Sequence, residues 1–226
     1  MKTTLKHLAK KTIRSLKKPS VMPKEPLSTD GGLERGTPLR RHFVDAFMEK
    51  HSEDIRGVVL AIQNRHYADS LGQGVERADV LDLDASSAHA GFVTDLASAD
   101  GMPSNSYDCF IINETLQFVF DLDGALAHAH RILRPGGVLL ATMPCTAQHD
   151  PEASAVDLWR FTERSCRRLF GDVFGHERVE VETYGNYLTC LAGLAGVVTE
   201  EIAPELREER SRMFIQGVCV RACKQD

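Results

Sequence analysis

No stretch of the sequence stays apolar for the roughly 18 residues a membrane span needs. The N-terminus has no apolar core of the kind a secretory signal carries. No internal repeat is visible. Cysteine pairing is missing as a pattern: the six cysteines, at 109, 145, 166, 190, 219 and 223, form no CxxC. A disulfide framework is not expected in a chain of this size, so a reducing, cytoplasmic setting is. Cys219 and Cys223 read as strand residues, and no metal site is expected. Positive charge is not in excess, since 27 Lys and Arg face 32 Asp and Glu, for a net −5 and a pI near 6.0. Nucleic acid is therefore not an expected partner. A dinucleotide fingerprint is lacking too. No GxGxxG follows the first predicted strand, which weighs against a nicotinamide dehydrogenase.

What is present suits one α/β domain with extensions: 42% of residues are hydrophobic and 26% charged. The charge is uneven. Residues 1–50 carry twelve Lys and Arg against five Asp and Glu, a basic arm on an acidic body. Within it, KTTLKHLAKKTIRSLKK (2–18) places Leu5, Leu8, Ile13 and Leu16 near one helical face. This reads first as a helix packed on its own domain or on a second subunit, compatible with a homodimer. A weak contact with an anionic membrane surface or another partner is the second reading. Residues 19–36, with three prolines and three glycines, read as a surface linker. The expected division is 1–36 for basic helix and linker, and 37–226 for the folded domain.

The clearest local signal lies between Tyr107 and Pro144. Two short apolar runs, Cys109–Asn113 and Val138–Met143, fit strands buried on both faces. Between them Leu122, Leu126, Ala129 and Leu133 recur at helical spacing, with Asp121 as N-cap and His128 and His130 expected at the surface. Pro135-Gly136-Gly137 is expected to stop that helix. Strand, helix, strand in this order is a βαβ unit with a right-handed crossover. Upstream, Thr37 reads as N-cap and Pro38 as first residue of a helix through Phe43, Val44, Phe47 and Met48. Further strands are expected at Val58–Ile62, Val80–Asp84, Gly91–Thr94, Val179–Thr183 and Phe214–Val220, and helices near Thr162–Phe170 and Asn186–Ile202. Gln63–Gly74 reads as a loop. The sum is an open, mostly parallel sheet.

Ligands of such sheets bind beyond the carboxyl ends of the strands. That rule selects Gln63, Asn64, Arg65, His66 and Tyr67 after the first strand, Asp84 after the second, and Asp95 and Leu96 after the third. It adds Asn113, Glu114, Thr115 and Gln117 after the fourth, and Pro144 and Cys145 after the fifth. Asp84 stands 21 residues past Gln63, close to the offset of about 20 at which a carboxylate holds a ribose diol. Position alone weighs this evenly against a strand that simply ends in solvent. Trp159-Arg160-Phe161 reads first as an anchor fixing a loop to the domain. Its second reading is a substrate wall, with Arg160 facing an anionic group.

Residues 57–144 together resemble the class I S-adenosyl-L-methionine (SAM)-dependent methyltransferases. GVVLAIQ is similar to their first-strand motif and VLDLDAS to the second-strand acidic motif. FVTDLASADGMPSNSYDCFIINETLQFVFD is similar to the adenine-loop and fourth-strand motifs, and HRILRPGGVLLATMP to the fifth. The flanks GTPLRRHFVDAFM and DLWRFTERS resemble a bacterial subgroup often associated with sugar and secondary-metabolite pathways. The resemblance implies a Rossmann-like, mostly parallel seven-stranded sheet with an antiparallel last strand. It implies SAM as cofactor and a small-molecule acceptor methylated at O or N. Asp84 would bind the ribose, and Asp95 and Leu96 the adenine. Asn113, Thr115 and Gln117 would line the methionine side, and Gln63 and Tyr67 the first loop. The loop 144–161 and the helix 38–51 would close over the acceptor.

One departure is plain. Family members usually read like VLEIG in the first strand, and here Ala61 and Gln63 replace the carboxylate and the glycine. A glycine admits close backbone approach and unusual dihedrals. The replacement carries an alternative: a non-catalytic or repurposed member of the fold. If methyl transfer occurs, an activated sulfonium donor lets proximity supply much of the rate. A base matters only where the nucleophile must lose a proton. The candidates, in falling order, are His149, Glu114 and His66.

Overall fold

The structure, a computed structural model, describes residues 24–150 and 155–225. The expected basic helix at 2–18 lies outside the described residues, as do residues 151–154 of the loop after the fifth strand.

The strands are β1 (Gly57–Ile62), β2 (Val75–Asp82), β3 (Phe92–Val93), β4 (Tyr107–Asn113), β5 (Leu133–Pro144), β6 (Val179–Tyr184) and β7 (Gly217–Cys223). They form one seven-stranded sheet in the order β3-β2-β1-β4-β5-β7-β6. The first five pair in parallel, whereas β7 runs antiparallel between β5 and β6. The expected Rossmann-like α/β fold is thus the observed one. Strand order reverses between β1 and β4, and this switch point opens a crevice at their carboxyl ends.

Alternate residues of the central strands feed two cores. On one side Leu60, Phe110, Ile112, Leu139 and Val220 meet α3 (Leu122–Ile132) and α4 (Glu163–Phe174) through Leu126, Ala129, Ile132, Phe170 and Phe174. On the other, Val59, Ala61, Ile111, Leu140 and Cys219 meet α1 (Leu39–Lys50) and α2 (His66–Leu71) through Phe43, Phe47, Met48 and Tyr67. The double burial explains why β4 reads as an unbroken apolar run. Asp121 caps α3 by accepting from Gly124 N at 2.9 Å, and Thr162 caps α4 by accepting from Ser165 N at 3.2 Å.

Several boundaries differ from expectation. β2 starts at Val75 and ends at Asp82, so Asp84 stands beyond the strand. The Gln63–Gly74 segment contains α2, a short helix whose first turn is set by Asn64 Oδ1 accepting from His66 N at 3.1 Å. Thr37 does not cap α1. Pro38 occupies the cap position without a side-chain bond and pairs in a bridge with Val198. Pro135-Gly136-Gly137 lies inside β5 rather than before it, where the β4–β5 register shifts between Tyr107 and Cys109. Gly137 is needed there: a Cβ would fall 2.9 Å from Arg134 O and 3.0 Å from Tyr107 O. α5 (Tyr187–Leu194) stops well short of Ile202, because Gly196 turns the chain at φ +74°. β7 begins three residues later than Phe214 and runs to Cys223. His128 and His130 are partly buried: His130 packs edge-on to Phe174, and His128 accepts from Arg131. The described end of the linker is tied down too, with Leu27 N donating to Ala195 O at 2.7 Å.

Candidate functional site

The crevice at the switch point is lined by Ala61, Ile62, Gln63, Asn64, Tyr67 and Asn113. Gln63, where glycine is the family habit, has φ +66°. The loop therefore keeps a left-handed turn that glycine would enter without strain. Its amide donates to Leu81 O at 2.9 Å, which ties the turn to β2. Tyr67 presents its ring to the cavity, while its hydroxyl donates to Asp45 of α1 at 2.7 Å. Burial, and then that hydrogen bond, push its pKa far above the ordinary phenol value. Tyr67 is therefore a neutral wall and not a base.

Asp84 is exposed beyond β2. Its Oδ1 accepts from Ser86 N at 2.8 Å and Ser86 Oγ at 2.7 Å, which fixes the carboxylate and lowers its pKa. Asp95 caps the turn that follows it by accepting from Ala97 N at 2.9 Å. Leu96 points into the core at 3% exposure, so its side chain is spent on packing.

The segment after β4 is the most elaborate part of the site. Asn113 Oδ1 accepts from buried Thr142 Oγ1 at 2.6 Å, and Thr115 Oγ1 donates to Asn113 O at 2.9 Å. Glu114 follows at φ +47°, held there by its amide donating to Thr142 O at 3.0 Å. Such a conformation is costly for a residue with a side chain and marks a position the surroundings over-determine. The Glu114 carboxyl is largely buried, which raises its pKa; Arg40 and Arg160 oppose the rise. Arg40 Nη1 lies 3.4 Å from Glu114 Oε2. Gln117 is also buried. Its Nε2 donates to Glu114 O at 2.8 Å, and its backbone carbonyl accepts from Leu158 N and Trp159 N.

That last contact brings the loop after β5 against the segment after β4. Trp159 Nε1 donates to Val119 O at 2.9 Å and its ring stacks obliquely on Phe120. Arg160 holds Asp157 in a two-pronged pair at 2.5 and 2.9 Å and donates to Gln148 O. The guanidinium is thus engaged by its own loop. His149 Nδ1 lies 2.9 Å from Asp157 Oδ2, with the side chain more than half exposed. Asp157, whose pKa is depressed chiefly by Arg160, organises both residues. His66 is exposed at the start of α2, 3.5 Å from Arg41 Nη2.

Sequence reasoning missed Arg40, Asp157, Tyr184 and Gln216. Asp157 had a signal, an acid beside Trp159-Arg160. The other three reach the site only through the antiparallel insertion of β7 and the docking of α1.

Residues 56–141 match a family model described as a methyltransferase domain. Among solved structures, a SAM-dependent methyltransferase from Archaeoglobus fulgidus superposes with a TM-score of 0.56 at 13% identity, covering 82% of this chain and 94% of that one. YcgJ from Bacillus subtilis gives 0.52 at 12%, covering 82% and 99%. Phosphoethanolamine N-methyltransferase 2 of Haemonchus contortus, solved with phosphomonomethylethanolamine and S-adenosylhomocysteine, gives 0.56 at 14%, covering 82% and 53%. No curated protein matches the chain. The chain has the Rossmann-like fold of the class I methyltransferases.

Proposed function

We propose that this protein is a SAM-dependent methyltransferase acting on a small-molecule acceptor at oxygen or nitrogen. The observation that carries the proposal is the crevice between β1 and β4, bounded by Gln63, Tyr67 and Asn113, with Asp84 fixed at the end of the neighbouring β2. Gln63 holds a backbone conformation that suits close approach of a ligand, so the lost glycine costs strain rather than the turn itself. When bound, SAM would supply an electrophilic methyl group on a sulfonium. Asp84 would hold the ribose, Asp95 the adenine edge through its backbone and carboxylate, and Asn113, Thr115 and Gln117 the methionine side. Leu96 would contribute backbone only. The chain's own residues bind, orient and exclude water. Glu114, its proton affinity raised by burial, would accept a proton from the acceptor, with His149 as the alternative base. Trp159 would wall the acceptor, and Arg160 would act by fixing the loop.

Titration calorimetry with SAM and S-adenosylhomocysteine tests the reading; no heat at millimolar ligand would sink it. Asp84→Ala should weaken binding at least tenfold, and unchanged affinity would show that the ribose sits elsewhere. Gln63→Gly should tighten binding by removing a side chain from the space the ligand would enter. A second reading, a repurposed member of the fold without SAM, draws on Ala61, which places a buried methyl where the family carries a carboxylate. It would be favoured if neither ligand bound even after Gln63→Gly.

A further inference from the structure

α5 is apolar on both of its sides. No charged residue stands between Glu182 and Glu200. Thr189, Cys190 and Ala192 face the body of the domain and are buried. Tyr187, Leu188, Leu191 and Leu194, at i, i+1, i+4 and i+7, share the opposite side. Along that stripe Tyr187 is 52%, Leu188 41% and Leu194 40% exposed. Phe214 extends it by packing edge-on to Tyr187 at 5.0 Å. A helix that is apolar all round is ordinarily covered on both sides, and contiguous exposed apolar surface marks an interaction site.

Position, charge and size select what covers it. Leu27 N donates to Ala195 O at 2.7 Å, and a Cβ on Gly196 would meet Ser28, so the chain runs in against the C-terminal end of α5. Residue 18 stands nine positions before Leu27, a reach of up to about 30 Å, whereas a helix of this length extends about 12 Å. Residues 1–18 hold seven Lys and Arg and no Asp or Glu. At the other end of α5 its N-cap Asn186 donates through Nδ2 to Leu206 O and Glu209 O at 2.8 and 2.6 Å. That seats residues 199–209, with five glutamates and one arginine, beside the stripe. An anionic membrane would meet like charge there, and a basic segment opposite charge. The stripe offers on the order of 300 Å², well short of the roughly 800 Å² that each partner buries in a stable complex of separate chains. A tethered segment needs less, because its effective concentration is of about millimolar order.

We propose that the stripe of Tyr187, Leu188, Leu191 and Leu194 is the docking site of residues 2–18 of the same chain. Leu5, Leu8, Ile13 and Leu16 seat on it, and the basic side chains face the glutamates of 199–209. The contact is local and independent of methyl transfer and of the packing of the sheet.

The test is amide hydrogen exchange of the full chain, read by mass spectrometry. Residues 5–16 should exchange at least tenfold more slowly than the same sequence as a free peptide. Leu188→Asp combined with Leu194→Asp should abolish that protection, with folding checked by circular dichroism. Leu8→Asp combined with Ile13→Asp should speed exchange at 187–195 at least threefold; this variant alters none of the described residues and remains readable if the first fails to fold. Exchange of 5–16 at the free-peptide rate, or protection that survives the α5 substitutions, would overturn the proposal. Protection that grows with protein concentration would replace it with a second copy of the chain, and protection that needs phosphatidylserine vesicles would replace it with a membrane surface.

Discussion

Glu114 concentrates several unfavourable features in one residue: a left-handed backbone, a largely buried carboxyl and an oxygen without a hydrogen bond. Its pKa is raised, chiefly by burial, above its value in the unfolded chain. A raised pKa means the native state binds the proton more tightly, so the protein gains stability as pH falls through the folded value and loses it as pH rises. At neutral pH the charged form is the destabilising one. Glu114→Gln should therefore raise Tm at pH 7. The gain should vanish near pH 4, where the wild-type carboxyl is protonated; scanning calorimetry at both values decides it. An equal gain at both would mean that local strain, not charge, sets the cost. At this scale the sequence was informative but incomplete. The end-of-strand rule put Gln63, Asp84, Asn113, Glu114 and Gln117 beyond or at the carboxyl ends of their strands because it depends only on where strands stop. It could not see that Leu96 is spent on the core, that Tyr67 is tied to Asp45, or that Arg160 is clamped by Asp157.

Among the elements, α1 has the largest bearing on the site. It carries Arg40 at its first turn, and Phe47 and Met48, both fully buried, lock it to the sheet. Phe47→Ala should cost about 3–5 kcal/mol, the usual price of emptying a core phenylalanine site, measured by urea denaturation. A loss under about 1 kcal/mol would mean that α1 is not packed as described. The Thr162 cap of α4 has two reciprocal bonds with Ser165. Thr162→Ala should therefore cost about 0.5–2 kcal/mol with little effect on ligand binding, because α4 covers the opposite sheet face from α1. Helix and strand types were legible from periodicity, since buried faces repeat at 3.6 or 2 residues. Their ends were less so. α5 ends where Gly196 meets Ser28 of a distant segment, and the start of β2 at Val75 follows from pairing with β1.

At the scale of the whole molecule, the sheet and both its covering layers are, among the described residues, built between Leu39 and Cys223. Removing residues 1–18 should therefore leave Tm within about 2 °C and S-adenosylhomocysteine affinity within twofold. A collapse of Tm would show that the basic arm is part of the fold. The closure of the chain is seen in Arg221 of β7, which bonds Asp54 after α1 at 2.7 and 3.0 Å and Glu180 of β6 at 3.0 Å. The sequence by itself determined the parallel half of the sheet, the βαβ unit from Tyr107 to Pro144, and the ring of residues at the strand ends. Those follow from local periodicity and from the chirality of the crossover. Only the tertiary structure decided the surroundings of Glu114. Insertion of β7 between β5 and β6 carries Gln216 beside Glu114, and docking of α1 brings Arg40 within 3.4 Å of it. Those residues are separated by 74 or more positions, and no local pattern encodes a meeting that long-range strand pairing and helix docking create.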